Sequence, residues 1–183
     1  MTHLMRKLRR SLFGISPTET SFARRGFSTG EKEVRQRLEK IGGIFVHGYQ
    51  AALDYTDPEK LAPHLEAVEL EFRGFAYEGA AMGLTLLDYL TPWTKSRLKI
   101  LLNGSGNRHV YMVYVGAGWA LARLRRPAHH FLARFDPLLS WLAVDGLGFH
   151  EGYFKWRRYY EDQAAPKGLS GYACRVFDQG LGR

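Results

Sequence analysis

The sequence predicts an all-α fold, a multi-helix bundle or short helical array with two similar helical units. Three observations carry that expectation. Apolar residues return at every third or fourth position, as a helix burying one face requires. A capping residue stands directly before proline at Asp57-Pro58, Thr91-Pro92 and Asp136-Pro137. Small residues, Gly79, Ala80, Ala81 and Gly83, sit within an apolar stretch, where they would let two helices approach closely.

From the N-terminus, Leu4, Leu8 and Leu12 recur at steps of four among Arg6, Lys7, Arg9 and Arg10. This spacing predicts a short basic amphipathic helix, packed on the body of the protein or docked on a membrane surface or a partner. Gly14-Ile15-Ser16-Pro17 ends it. Residues 1–27 thus form a basic N-terminal helix and linker, and 28–183 a helical domain. Ser28 and Glu31 have capping-box spacing and open a long helix with Val34, Leu38, Ile41, Phe45, Tyr49 and Ala52 on one face. The three proline pairs predict helices beginning near residues 58, 92 and 137, because proline at the first turn forfeits only an N–H that has no partner there. Further helices are expected over 74–90, 109–124 and 146–160. Residues 103–107 and 164–169 read as loops. A loose repeat runs through both halves: Asp-Pro, an apolar helix, then Gly74 to Gly79 in one copy and Gly148 to Gly152 in the other.

Composition narrows the function classes. Apolar residues make up 45% and charged residues 24%, the balance of a chain that folds around a core. Aromatics reach 14%, so the core or a pocket is rich in rings. The net charge is +8, and of the first thirty residues Arg6, Lys7, Arg9, Arg10, Arg24 and Arg25 oppose Glu19 alone. That excess suits an anionic membrane surface or an acidic carrier or synthase partner. Cys174 is the only cysteine, which excludes an intrachain disulfide and fits a reducing, cytoplasmic setting. No apolar run reaches the roughly 18–20 residues of a membrane span. The apolar stretch at Leu12 to Ile15 is too short for a signal peptide.

No motif fixes a reaction or an enzyme class. Gly116-Ala117-Gly118 follows an aromatic run, but Leu121 stands where a dinucleotide fingerprint needs a small residue. Asn103 to Arg108 lacks the Gly-Lys-Ser/Thr ending of a phosphate loop. No cofactor is expected. No glutamate has histidine three residues later, so a metal would need His47, His150, Glu78 and Glu151 to converge from separate helices, and none is assigned. Arg123, Arg125 and Arg126, then Lys155, Arg157 and Arg158, form basic clusters near Trp119 and Trp156. They interleave with rings as in single-strand binding, but no nucleic-acid module is present and no nucleic acid is expected. Glu78 and Glu151 lie in apolar, glycine-flanked stretches, where burial would raise a carboxyl pKa toward that of a general acid or base. They are the first candidate catalytic residues, followed by His150 and Tyr77. The competing expectation is an internal ion pair or hydrogen bond, for instance with Arg73.

Several blocks together resemble a known family. They are Leu12-Phe13-Gly14-Ile15-Ser16-Pro17 with Phe22-Ala23-Arg24-Arg25-Gly26-Phe27, the run Arg73 to Met82, Val113 to Leu121, Asp145 to Phe154, and Gly171 to Arg183. This is similar to a bacterial family of unknown function, number 1702 in the domain-of-unknown-function series. The resemblance implies an accessory protein of enediyne polyketide biosynthesis, since members are often encoded beside enediyne polyketide synthases. It implies a hydrophobic polyketide-like small molecule, a polyene or polyyne, as ligand, and the synthase or other pathway proteins as partners. It also implies that this chain is an N-terminal portion, incomplete at its C-terminus.

Overall fold

The structure, a computed structural model, describes every residue except Met1, Thr2 and Thr29. Among the described residues all regular structure is helical, with no strand, so the all-α expectation holds. The chain forms two compact units, residues 1–110 and 111–183.

In the first unit, α1 (His3–Phe13) lies against α3 (Lys32–Asp54), while α2 (Phe22–Arg25) is a single capped turn. The packing of α1 inverts the usual amphipathic arrangement. Its arginines face the protein: Arg9 Nε donates to the Leu53 carbonyl at 2.6 Å, and Arg10 makes a two-pronged ion pair with Asp54. Leu4, Leu8 and Leu12 face outward, 73%, 48% and 63% exposed. The Tyr49 hydroxyl and the Gln50 amide then secure the descending chain by donating to the carbonyls of Phe13 and Ile15.

The long helix differs from its sequence reading at its start. It begins at Lys32 with Glu31 as its cap residue and no side-chain capping bond, so the Ser28–Glu31 box does not form. Only the second half of its apolar stripe is buried. Phe45, Tyr49 and Ala52 are interior, whereas Val34 and Leu38 are exposed.

Asp57 caps α4 (Pro58–Glu66) as expected, accepting from the Glu59 N–H at 3.1 Å. Thr91-Pro92 does not open a helix. Thr91 closes α5 (Arg73–Leu90) instead, its hydroxyl bonding back to the Leu87 carbonyl. The next helix, α6 (Arg97–Asn103), starts later, capped by Ser96, and Asp88 accepts from the backbone N–H groups of Arg97 and Leu98. A carboxylate on one helix thus satisfies the free donors of another. The expected loop at 103–107 is largely a turn of 3₁₀ helix, Ser105–His109.

The second unit holds α7 (Val110–Leu124, whose first residue closes the first unit), α8 (Ala128–Leu132), α9 (Leu142–Trp156) and α10 (Tyr172–Leu181). Asp136 accepts from the N–H groups of Leu138 and Leu139, the capping expected of it, but a 3₁₀ turn at Leu139–Trp141 intervenes before α9. The tempting Gly116-Ala117-Gly118 lies within α7, not at a strand end.

One packing device recurs in both units. Gly48 of α3 sits over the Ala76 carbonyl of α5, and Gly79 of α5 sits over the Phe45 carbonyl of α3. Each glycine therefore covers the carbonyl three residues before its partner glycine. The same reciprocal rule joins Gly118 with Gly146 across α7 and α9, and Gly148 with Gly180 across α9 and α10. A Cβ at any of these positions would enter the backbone of the neighbouring helix. Helical glycine costs roughly 1 kcal/mol relative to alanine, and backbone-to-backbone contact offsets that cost.

Candidate functional site

The structure divides the four candidate residues between the units. Tyr77 and Glu78 are buried in α5 of the first, and His150 and Glu151 are buried in α9 of the second. Tyr77 is fully enclosed. Its hydroxyl donates to Glu66 at 2.6 Å, and its ring stacks on His109 with centroids 4.4 Å apart. Burial, reinforced by Glu66, pushes the phenol up to about 12. Arg73, expected as a carboxylate partner, pairs at 2.8 Å with Glu66 rather than with either candidate glutamate. His47 is exposed, and among the described residues no group of three His, Cys, Asp or Glu side chains could hold a metal ion.

Glu151 has the richest surroundings. Lys155 donates to both its oxygens at 2.8 Å, and the Tyr159 hydroxyl donates to Oε2 at 3.0 Å. His150 Nδ1 lies 3.4 Å from Oε1. Burial alone would raise this carboxyl, as its sequence context suggested. The nearby His150 imidazole and the bonds from Lys155 and Tyr159 outweigh burial and bring it down to about 2. Glu151 is therefore an anion at neutral pH, a poor proton donor and a weak base. His150 is itself held below its ordinary value, chiefly by burial, and is neutral there.

A break in α9 builds this cluster. In a regular helix Tyr159 would stand two turns, roughly 12 Å, beyond Glu151, too far for its hydroxyl to return. Lys155 leaves helical geometry at φ −136°, ψ 33°, and Arg157–Glu161 continues as a π-turn. The expected helix to residue 160 is thus a kinked one, and the kink folds Tyr159 back onto Glu151. Such wide turns concentrate at functional positions.

The Glu151 cluster lies in the floor of a cleft of about 640 Å³ within the second unit. Buried Leu121, Ala128 and Phe177, with half-buried Leu147, supply apolar floor. The exposed cations Arg125, Arg126, Lys155, Arg158 and Lys167 stand around its mouth. Lys167 comes from the loop at 164–169, whose Pro166 also lines an adjoining cleft with Trp156, Tyr160 and half-buried Cys174. Two basic clusters that are separate in sequence therefore converge, since α7 ends where the kinked end of α9 returns. Arg123 and Arg157 do not line this cleft.

Asp145 escaped the sequence reading. It is fully buried one residue before a clasp glycine, with Arg183 Nε 3.4 Å away. Burial raises its pKa against the pull of Arg183. Its signal was available: Asp145-Gly146 repeats the acid-glycine step of Glu78-Gly79 and Glu151-Gly152.

Comparison with known proteins, set beside this geometry, gives a family match. The pattern of DUF1702, a protein family of unknown function, matches residues 4–183. The chain belongs to that family. DUF1702 thus covers both compact units, and the cleft of the second lies wholly within the matched region. No curated protein and no solved structure matches this DUF1702 chain. No helix among the described residues is long and apolar enough to cross a membrane.

Proposed function

We propose that this DUF1702 protein is an accessory protein of enediyne-type polyketide biosynthesis, and that it holds a long apolar polyene or polyyne intermediate in the cleft of its second unit. The supporting observation is the cleft itself, an apolar floor beneath a ring of exposed cations, within the 300–1,000 Å³ range typical of small-molecule sites. An extended conjugated chain gains by covering Leu121, Leu147 and Phe177, and the ring faces of the adjoining cleft suit its π system. Tyr159 lines both clefts, so one chain could touch both. The role proposed is binding and presentation. Glu151, already neutralised by Lys155, is suited to holding the site in shape.

The test is titration of the purified protein with parinaric acid, a conjugated tetraene whose emission rises in apolar surroundings. Saturable enhancement that weakens at least about tenfold in Leu147→Gln supports the reading. The absence of saturable binding both by this acid and by its coenzyme A thioester would sink it.

A second reading, a non-catalytic module docking on a membrane surface, is favoured by one observation. Leu4, Met5, Leu8 and Leu12 form an outward apolar stripe on a helix with no acidic residue. Co-flotation with phosphatidylserine vesicles that is lost in Leu4→Gln/Leu8→Gln would establish it. These changes leave the Arg9 and Arg10 contacts intact, whereas deleting the helix would remove them.

A further inference from the structure

We infer that the cleft of the second unit recognises its ligand through a phosphate group, so that the apolar chain arrives as a thioester on a phosphopantetheine arm rather than as a free acid. This rests on the ligand-binding reading above and names the substrate class of that site.

The first argument is charge. Five cationic side chains and one carboxylate line the cleft, and Lys155 is committed to that carboxylate. Arg125, Arg158 and Lys167 then stand at the mouth, drawn from the end of α7, the π-turn and the loop at 164–169. A carboxylate carries one charge on two oxygens, and a single arginine fork satisfies it. The phosphodiester of a phosphopantetheine arm also carries one charge, but coenzyme A adds a second bridging phosphate and a ribose phosphate, and an acidic carrier domain adds its own carboxylates. Either form therefore presents several anionic groups to several separated cations. A chain entering tail first covers the apolar floor and leaves its anionic end among the cations at the rim.

The second argument is backbone geometry. The Arg126 N–H bonds to the Leu121 carbonyl and the Arg125 N–H to the Ala122 carbonyl, the paired closure of a helix by a left-handed residue. Arg125 is that residue, at φ 52°. Glycine adopts this conformation without strain; Gly26, Gly30, Gly168 and Gly171 stand at positive φ elsewhere, and the other non-glycine residue there among those described is Gln163 at φ 50°, which lines the adjoining cleft. An arginine here, in a conformation that stability alone would give to glycine, is explained when its side chain serves the cleft.

The experiment compares parinaric acid, parinaroyl-coenzyme A, coenzyme A alone, and the same acyl group on the phosphopantetheine of an acyl carrier domain. Each is measured against the intact chain and against Arg125→Gly and Lys167→Ala. The thioesters should bind at least about tenfold more tightly than the acid in low salt, with the preference fading as salt rises. Arg125→Gly should weaken thioester binding by about fivefold or more beyond any loss in acid binding, so that the preference narrows, and its thermal midpoint should hold or rise. A retained fold separates loss of recognition from misfolding. Tighter binding of the carrier-borne chain assigns the protein-bound source; equal binding of the coenzyme A ester assigns the free one. Equal affinity for acid and thioester, or a preference untouched by both substitutions, overturns the inference and leaves the ligand-binding reading standing. Failure of every acyl probe removes both.

Discussion

Glu151 shows how far a residue's chemistry depends on neighbours that its sequence context does not name. An apolar, glycine-flanked glutamate suggests a raised pKa, but three polar groups reverse the sign. The consequence for stability follows from linkage. The carboxyl titrates at about 2 when folded and near 4.5 when unfolded. Its contribution, about 3 kcal/mol at most, is therefore complete above the unfolded value and is lost as pH falls from about 4.5 toward 2. His150, held below its ordinary 6.5, adds a loss in the same direction that begins higher. Denaturant unfolding across this pH range should show Glu151→Gln less stable than wild type at neutral pH and flatter toward acid. Parallel curves would mean that the Lys155 and Tyr159 contacts do not persist in solution. Tyr77 makes a smaller case. Tyr77→Phe leaves the ring stacked on His109 but removes the bond to Glu66, a loss of about 1 kcal/mol in denaturation midpoint terms.

Among the elements, the helices are positioned by glycine clasps more than by their apolar stripes. Two neighbouring positions on α3 separate the effects. Gly43 has open space where a Cβ would go, while Gly48 lies on the Ala76 carbonyl. Gly43→Ala should gain about 0.5–1 kcal/mol from helix propensity alone. Gly48→Ala should lose about 1–3 kcal/mol despite the same gain, because backbone cannot rotate away as a side chain can. Thermal unfolding of the two variants should therefore shift in opposite directions. The periodicity of α3 was legible in the sequence, but the burial of only its second half was not. Exposure of Val34 and Leu38 depends on where other elements end, which local spacing does not encode. For the same reason, Thr91-Pro92 was misread as a helix start. Threonine's hydroxyl serves either end of a helix, and the choice fell to Asp88, which caps α6 from outside it.

For the molecule as a whole, stability and recognition rest on different forces. The ion pairs Arg37–Glu71 and Lys40–Glu69 join exposed partners, and such pairs contribute about 0–1 kcal/mol each. The interior is aliphatic and aromatic, from Leu53, Leu61 and Leu65 in the first unit to Trp119, with Phe149 and Phe154 around it, in the second. Raising salt to about 0.5 M should therefore move the thermal midpoint by no more than about 3 °C, while abolishing discrimination among anionic ligands at the cleft. A large salt-induced fall in the midpoint would show that surface electrostatics carries more of the fold than this arrangement allows.

The sequence by itself determined the helical class, most helix spans and the family, because these depend on local periodicity, on capping chemistry and on residue blocks read in order. It also drew attention to Glu151 and to basic clusters that supply Arg125, Arg126, Lys155 and Arg158, but not to Lys167 or Tyr159. Only the tertiary structure decided that Arg125, Arg158 and Lys167 gather around one apolar floor and that Glu151 is locked as an anion. Those outcomes need the break at Lys155 and the left-handed turn at Arg125, and they bring to one cleft side chains from the end of α7, the π-turn after α9 and the loop at 164–169, which lie far apart along the chain.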